Sequence, residues 1–247
     1  MSATNKKFRW WIFAILSFVF FVLLQVPASW LIAKFYTSNQ NLYNVSGNIW
    51  QGQADWQQRD LQGTVAWKIR PWELLRLRTA AHIKIHSGQT QLDGVMAYSL
   101  GKTLYIQNLN GTIAPETLAA FAAGQWPQQA IQVKDIDLKY KKTEGFKYAD
   151  GQLHWLGGEM RYRFGERQEL IQIPNLQAKL VNEQQKMIVD VRDNREQKML
   201  NIVLDPNLMM DIQITQRMLM NAPSYQGQAA LDSYVLSTRQ PLLQGGS

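Results

Sequence analysis

The sequence contains no cysteine. That excludes a disulfide framework, a thiolate metal site and a cysteine nucleophile, so any folded part must hold together by core burial alone. Acidic residues are missing from the first part of the chain, with no Asp or Glu before Asp55. Charge of either sign is absent from Trp10 to Ala33. Histidine is scarce, limited to His82, His86 and His154. Helical periodicity is rare after the first forty residues. The 247 residues carry 46% hydrophobic and 18% charged side chains, which excludes disorder. A mean hydropathy of -0.28 places most of the chain in water. The net charge of +7 is partly due to Lys6, Lys7 and Arg9. The remaining charges are mixed in sign, which argues against a nucleic-acid face.

The uncharged run Trp10–Ala33 is interrupted in character only by Ser17, Gln25, Pro27 and Ser29. As one helix it would be about 36 Å long, enough for a hydrocarbon core of about 30 Å. Trp10 and Trp11 at one end and Trp30 at the other suit interfacial aromatic belts. Lys6, Lys7 and Arg9 on one side outweigh Lys34 on the other, so the positive-inside rule predicts a cytoplasmic N-terminus. Val26-Pro27-Ala28 also fits the end of a cleaved signal peptide. The apolar run continues through Trp30-Leu31-Ile32, and its length favours a retained anchor. The expected organisation is a tail over 1–9, a transmembrane helix over 10–33, a linker over 34–44, a β domain over 45–237 and a flexible tail over 238–247.

Period-two alternation dominates the β domain. Ile83 and Ile85, Leu104 and Ile106, Ile131 and Val133, and Met187, Val189 and Val191 are examples. The alternation changes phase between Val133 and Ile136, predicting a bulge near Lys134-Asp135. Turn signals recur at Ser87-Gly88, Leu100-Gly101-Lys102, Glu144-Gly145, Gly157-Gly158, Asp193-Asn194 and Asp205-Pro206-Asn207. Their spacing predicts consecutive antiparallel hairpins. Pro115 to Gly124 reads as one short helix, and Pro71-Trp72-Glu73-Leu74-Leu75 as a single turn. The fold class expected is mostly β: a curved antiparallel sheet of many strands, preceded by one membrane helix and accompanied by one or two short helices. An apolar-x-Gly-x-apolar pattern recurs around Gly47, Gly63, Gly94, Gly111 and, more loosely, Gly151. Glycine weakens a strand, so its recurrence predicts bends or bulges.

No constellation for chemistry emerges. His82 and His86 flank a strand-like Ile83-Lys84-Ile85 with no third ligand nearby. Leu100-Gly101-Lys102-Thr103 ends like a phosphate loop, but Met96 stands where that loop needs glycine. No nucleophile elbow is present. The expectation is therefore a non-enzyme without catalytic residues, cofactor or metal. Trp50, Trp56, Trp67 and Trp72 fall within one short segment. They form either an aromatic cluster in a small core or an amphipathic surface near the membrane.

Two stretches carry a family resemblance. One is Val45-Ser46-Gly47-Asn48-Ile49-Trp50-Gln51-Gly52-Gln53-Ala54. The second runs from Leu61 through Gly63, Trp67, Pro71 and Trp72 to Leu74-Leu75. Together they resemble the type II secretion system protein N family, with Asn48 where that family usually has threonine. The resemblance implies a single-pass inner-membrane protein whose β domain faces the periplasm. It would support export of folded proteins and contact other inner-membrane subunits of the machinery and the bilayer. Gly47, Trp50, Gly52, Gly63, Trp67, Pro71 and Trp72 are the candidate interaction residues. The glycine-bearing strands are also similar in pattern to groove-forming sheets of envelope lipid-handling proteins, so a lipid-binding module is the second expectation.

Overall fold

A computed structural model describes residues 3–35, 41–58, 61–121, 128–164 and 167–242. Two helices come first, α1 (Ala3–Gln25) and α2 (Ala28–Phe35). The uncharged run is therefore not one helix over 10–33. Pro27 has no N–H to continue the helical ladder, and its backbone instead forms an antiparallel bridge with Asn48. The neighbouring Ile49 N–H donates to the Val26 carbonyl at 3.1 Å. Among the described residues no helix is long and apolar enough to cross a membrane. The uncharged part of α1, Trp10–Gln25, is about 24 Å long, short of a hydrocarbon core of about 30 Å.

The strands follow: β1 (Leu42–Gly47), β2 (Gln51–Gln58), β3 (Leu61–Ile69), β4 (Arg78–Ser87), β5 (Thr90–Ser99) and β6 (Thr103–Ile113). A 3-10 turn, Pro71–Arg76, joins β3 to β4, and α3 (Pro115–Phe121) follows β6. Next are β7 (Ile131–Lys141), β8 (Gly145–Trp155), β9 (Gly158–Phe164), β10 (Arg167–Ile173) and β11 (Leu176–Glu183). The chain ends with β12 (Lys186–Asp193), β13 (Lys198–Leu204), β14 (Met209–Thr215), α4 (Gln216–Leu219) and β15 (Tyr234–Pro241).

Thirteen strands form one antiparallel sheet in the order β1 through β8, then β11 through β15. The meander is interrupted once, where β9 and β10 pair only with each other and β8 pairs with β11. Gly157 and Gly158, at φ +77° and +127°, make the exit from β8. The sheet does not close: among the described residues β1 and β15 each have a single strand neighbour. At the β1 side, α2 contacts that strand.

The predicted bulge is present. The β7–β8 register shifts between Lys134 and Asp137, and Asp135 has φ +49°. Asn110 holds it, accepting from the Asp135 N–H at 2.9 Å. A sister bulge on β6 places Asn108 at φ +49°, with its N–H donating to the Asp137 carboxylate at 2.8 Å. Each bulge restores the inward phase of the apolar residues that follow it, Leu109 on β6 and Ile136 on β7.

One sheet face is apolar across its width. Its core gathers Val133, Ile136, Trp155, Leu176, Leu180, Val189 and Val191 with Ile171 and Ile173 of the excursion hairpin. The hairpin thus covers the middle strands with a second layer. The short helix expected over 115–124 occurs as α3 over Pro115–Phe121, with 122–124 outside the described residues, and the single turn occurs as the 3-10 turn. Two boundaries differ. β1 begins at Leu42, inside the expected linker, while residues 36–40 lie outside the described residues. The expected flexible tail is strand up to Pro241, because Thr238 and Gln240 pair with Ile212 and Met210 of β14; residues 243–247 lie outside the described residues.

Candidate interaction surfaces

The registers define two ends. The proximal end carries the β1–β2 turn, the 3-10 turn, the β5–β6 turn at Leu100-Gly101-Lys102 and the β7–β8 turn. The distal end carries the β4–β5 turn at Gly88 and the start of α3. Val26 and Pro27 meet the β1–β2 turn, so α1 departs from the proximal end.

The motif residues separate into three groups. On the apolar face of β2 and β3, Gly52 pairs with Trp67 and Trp56 pairs with Gly63. Each indole lies over the glycine opposite it. A Cβ at Gly52 would stand 2.6 Å from the Trp67 ring, and one at Gly63 would stand 2.7 Å from the Trp56 ring. At the β1–β2 turn, Gly47 takes φ +88° and pairs with Gly52. The Asn48 side chain there accepts from the N–H groups of Trp50 (3.0 Å) and Gln51 (2.9 Å), so asparagine serves the turn as an Asx cap. Third, Pro71 starts the 3-10 turn and leaves Trp72 exposed. The four clustered tryptophans are thus split between a face, a turn and a surface rather than joined in one core.

The repeated glycines are explained position by position. Gly111 and Gly151 have φ +142° and +135°, and Gly94 falls in the register shift between Asp93 and Val95. Gly63 is different, because what it permits is the seating of Trp56. An antiparallel reading of β2 against β3 contained that signal, since small and indole side chains alternate in opposite order along the two strands.

Trp56, Val65, Ile85, Leu92, Ile113 and Leu118 line an open apolar groove of about 710 Å³ at the distal end, beneath α3. A smaller apolar recess of about 250 Å³, containing Leu104, Ile106, Tyr140 and Phe146, lies on the same face toward the proximal end. The sheet's last strand is a bare edge: Tyr234, Val235 and Leu236 of β15 are exposed, and among the described residues no strand pairs with its outer side.

The polar groups form structural pairs. His82 sits 2.6 Å from Asp93, and His86 faces Thr64 and Gln91 on flanking strands. Among the described residues no three His, Asp or Glu side chains gather where they could hold a metal. Glu73 is bound by Arg78, whose hydrogen bond draws its carboxyl below the usual range; burial opposes this, and the charges of Arg78, Arg76 and Arg70 add to the lowering. Glu144 lies between Lys141 and Lys147, whose hydrogen bonds pull its carboxyl down to about 2.

The anchor candidates divide as well. Lys6, Lys7 and Arg9 fall in the first turns of α1. Trp10 and Trp11 follow them, exposed, and Trp10 meets Phe13 edge to face at 6.4 Å. Trp30 belongs to α2, with the Lys34 ammonium 5.2 Å from its ring centroid.

Comparison with curated proteins returned no match, and neither did comparison with solved structures. Comparison with family models did: the model described as type II secretion system (T2SS), protein N, matches residues 38–240. That match spans the sheet up to Gln240, including the paired glycines and tryptophans of β2 and β3 and all but the last residue of β15. The chain belongs to the type II secretion system protein N family.

Proposed function

We propose that this protein is a non-enzymatic, inner-membrane component of the type II secretion machinery. Its β domain faces the periplasm and supports export of folded proteins by taking a strand of a partner subunit along β15. Family membership supports the role in secretion. The observation that carries the docking site is the asymmetry of the two sheet edges. α2 contacts β1, whereas β15, eight residues long, has no strand on its outer side among the described residues and exposes its own Tyr234, Val235 and Leu236. An edge strand of this kind is a template for strand addition.

The anchor rests on sequence and exposure together. Trp10, Trp11, Phe13, Leu16, Phe18 and Phe21 are exposed at positions all around α1, a pattern suited to lipid rather than to one packed face. Lys6, Lys7 and Arg9 precede the uncharged stretch of α1, on the side that the positive-inside rule assigns to the cytoplasm. A topology reporter fused after Ser38 is expected on the periplasmic side, and a cytoplasmic signal would reverse the orientation.

A proline scan from Leu236 to Gln240 tests the edge. Alternate residues of an antiparallel edge strand point their N–H inward and outward. Proline at inward positions should destabilise the sheet. At outward positions the melting temperature should hold while secretion subunits disappear from the detergent-extracted complex, read by mass spectrometry. Unchanged partner recovery at every outward position would overturn β15 as the docking edge.

A second reading, an envelope lipid-binding module, is favoured by the distal groove of about 710 Å³ with its apolar lining. Each buried methylene of an acyl chain there would gain about 0.8 kcal/mol. One phospholipid or lipopolysaccharide per chain, recovered without protein partners, would select this reading.

A further inference from the structure

We propose that the proximal end of the sheet is itself a membrane-contact surface, in which Trp72, Leu75, Leu77 and Leu100 enter the interfacial layer of an anionic bilayer. The inference builds on the reading of α1 as the anchor.

The first support is exposure. Trp72 is 79% exposed, Leu75 84%, Leu77 65% and Leu100 78%. They protrude from two turns rather than lining a groove. Leu77, at φ +54°, ends the 3-10 turn, and its carbonyl accepts the Leu100 N–H at 3.1 Å, so the two turns form one patch. Large apolar side chains on protruding turns are poorly placed for water and well placed for insertion between headgroups. Tryptophan favours that layer, where its ring is in an apolar region and its N–H is wet.

The second support is position. A short series of backbone bonds joins the base of α1 to the patch. Ile49 N–H donates to Val26 at 3.1 Å, Ile69 N–H donates to Trp50 at 2.6 Å, and the 3-10 turn begins two residues after Ile69. Gln25 is the first polar residue after the unbroken stretch Ile12–Leu24 apart from Ser17, so it marks the level of the headgroups. The uncharged part of α1, about 24 Å, is shorter than a hydrocarbon core of about 30 Å. A short anchor draws the end attached to it into the interface.

The third support is charge. Lys68, Arg70, Arg76 and Lys102 are exposed around the patch. The acid among them, Glu73, is already held by Arg78 and lies 3.6 Å from Arg76. Lys68, Arg70, His82 and Trp72, together with the Arg78-bound Glu73, line an open recess of about 590 Å³ in which the basic groups outnumber the one acid, a setting suited to a phosphate headgroup. The distal turn Ser87-Gly88-Gln89-Thr90 carries no charge and no large apolar residue.

The absence of native cysteine makes the test direct. The full chain is prepared with one cysteine at a time, Leu75→Cys, Leu100→Cys, Gln89→Cys or Ala14→Cys. Each is nitroxide-labelled and reconstituted in vesicles of phosphatidylethanolamine and phosphatidylglycerol. Relaxation by oxygen is compared with relaxation by a water-soluble nickel chelate. The expected result is lipid-like accessibility at 75, 100 and 14, water-like accessibility at 89, and withdrawal of 75 and 100 when phosphatidylcholine replaces phosphatidylglycerol. Water-like labels at 75 and 100 with a buried label at 14 would overturn the contact surface and leave the anchor standing. Lipid-like labels at 75 and 100 with a water-like label at 14 would overturn the anchor and keep the surface. Insertion unchanged when phosphatidylcholine replaces phosphatidylglycerol would overturn its dependence on anionic lipid.

Discussion

Gly63 lies directly opposite Trp56, and the indole occupies the space that any side chain at Gly63 would need. The mirror arrangement, Gly52 opposite Trp67, is two cross-strand steps away on the same face. Gly63→Ala would place a Cβ 2.7 Å from the indole and 2.4 Å from the His86 carbonyl oxygen. Overpacking of this kind costs about 1–3 kcal/mol. Melting temperature should fall for Gly63→Ala and further for Gly63→Val. Gly101→Ala, where a Cβ would meet only the Ser99 hydroxyl at 3.7 Å, should melt like the wild type. Equal melting of all three would remove this account of the motif.

Backbone conformation imposes a separate demand at Gly111 and Gly47. Gly111 sits at φ +142°, and a Cβ there would stand 1.9 Å from the Gln91 carbonyl oxygen. Gly47 sits at φ +88°, with the Gln51 oxygen 2.5 Å from its Cβ position. Strain and overlap together should cost Gly111→Ala about 3 kcal/mol or more, the larger loss of the two. Denaturant titration of both variants checks the order.

Asn48→Ala removes two hydrogen bonds from the β1–β2 turn and leaves the N–H groups of Trp50 and Gln51 without that acceptor. A loss of about 1 kcal/mol is expected at this partly wet site. Because the same turn bridges to Pro27, amide exchange at Ile49 should quicken together with that at Trp50.

Acid should loosen the β7–β8 turn through Glu144. Its carboxyl is drawn from 4.5 down to about 2 in the folded protein by Lys141 and Lys147. A depressed folded value contributes stability fully above about pH 4.5, and that contribution is lost as pH falls toward 2. Glu144→Gln should therefore melt lower than the wild type near about pH 6, with the gap narrowing as the pH falls through that window. A gap that stays constant in acid would show that the two lysine contacts contribute nothing through charge.

The architecture was legible where one residue determined local geometry. Alternation located the middle strands, the change of phase after Val133 located the Asp135 bulge, and Pro115 located the start of α3. Pro27 also carried its message, although the apolar residues beyond it concealed the break between α1 and α2. The excursion of β9 and β10 was not legible, because a strand that pairs outside the main sheet alternates like one within it. β15 was hidden for a related reason: an exposed edge strand has little apolar pattern, and only its pairing with Ile212 and Met210 identifies it. The interaction surfaces stayed out of view because exposure and adjacency belong to the folded chain. Trp72 reads like Trp56 in sequence, yet one points to solvent and the other covers a glycine.

The β8–β11 junction makes the long sheet an extensible object. Every other neighbouring pair in the main sheet is joined through consecutive strands, so the contour grows by about 10 Å for each added hairpin without disturbing the ends. Thirteen strands give a contour of about 58 Å measured across the ladder. The detour shows that a hairpin can also be diverted to thicken the sheet instead of lengthening it. Reach and thickness can therefore vary independently, and a tether at β1 and a docking strand at β15 would act as the two marks of a ruler.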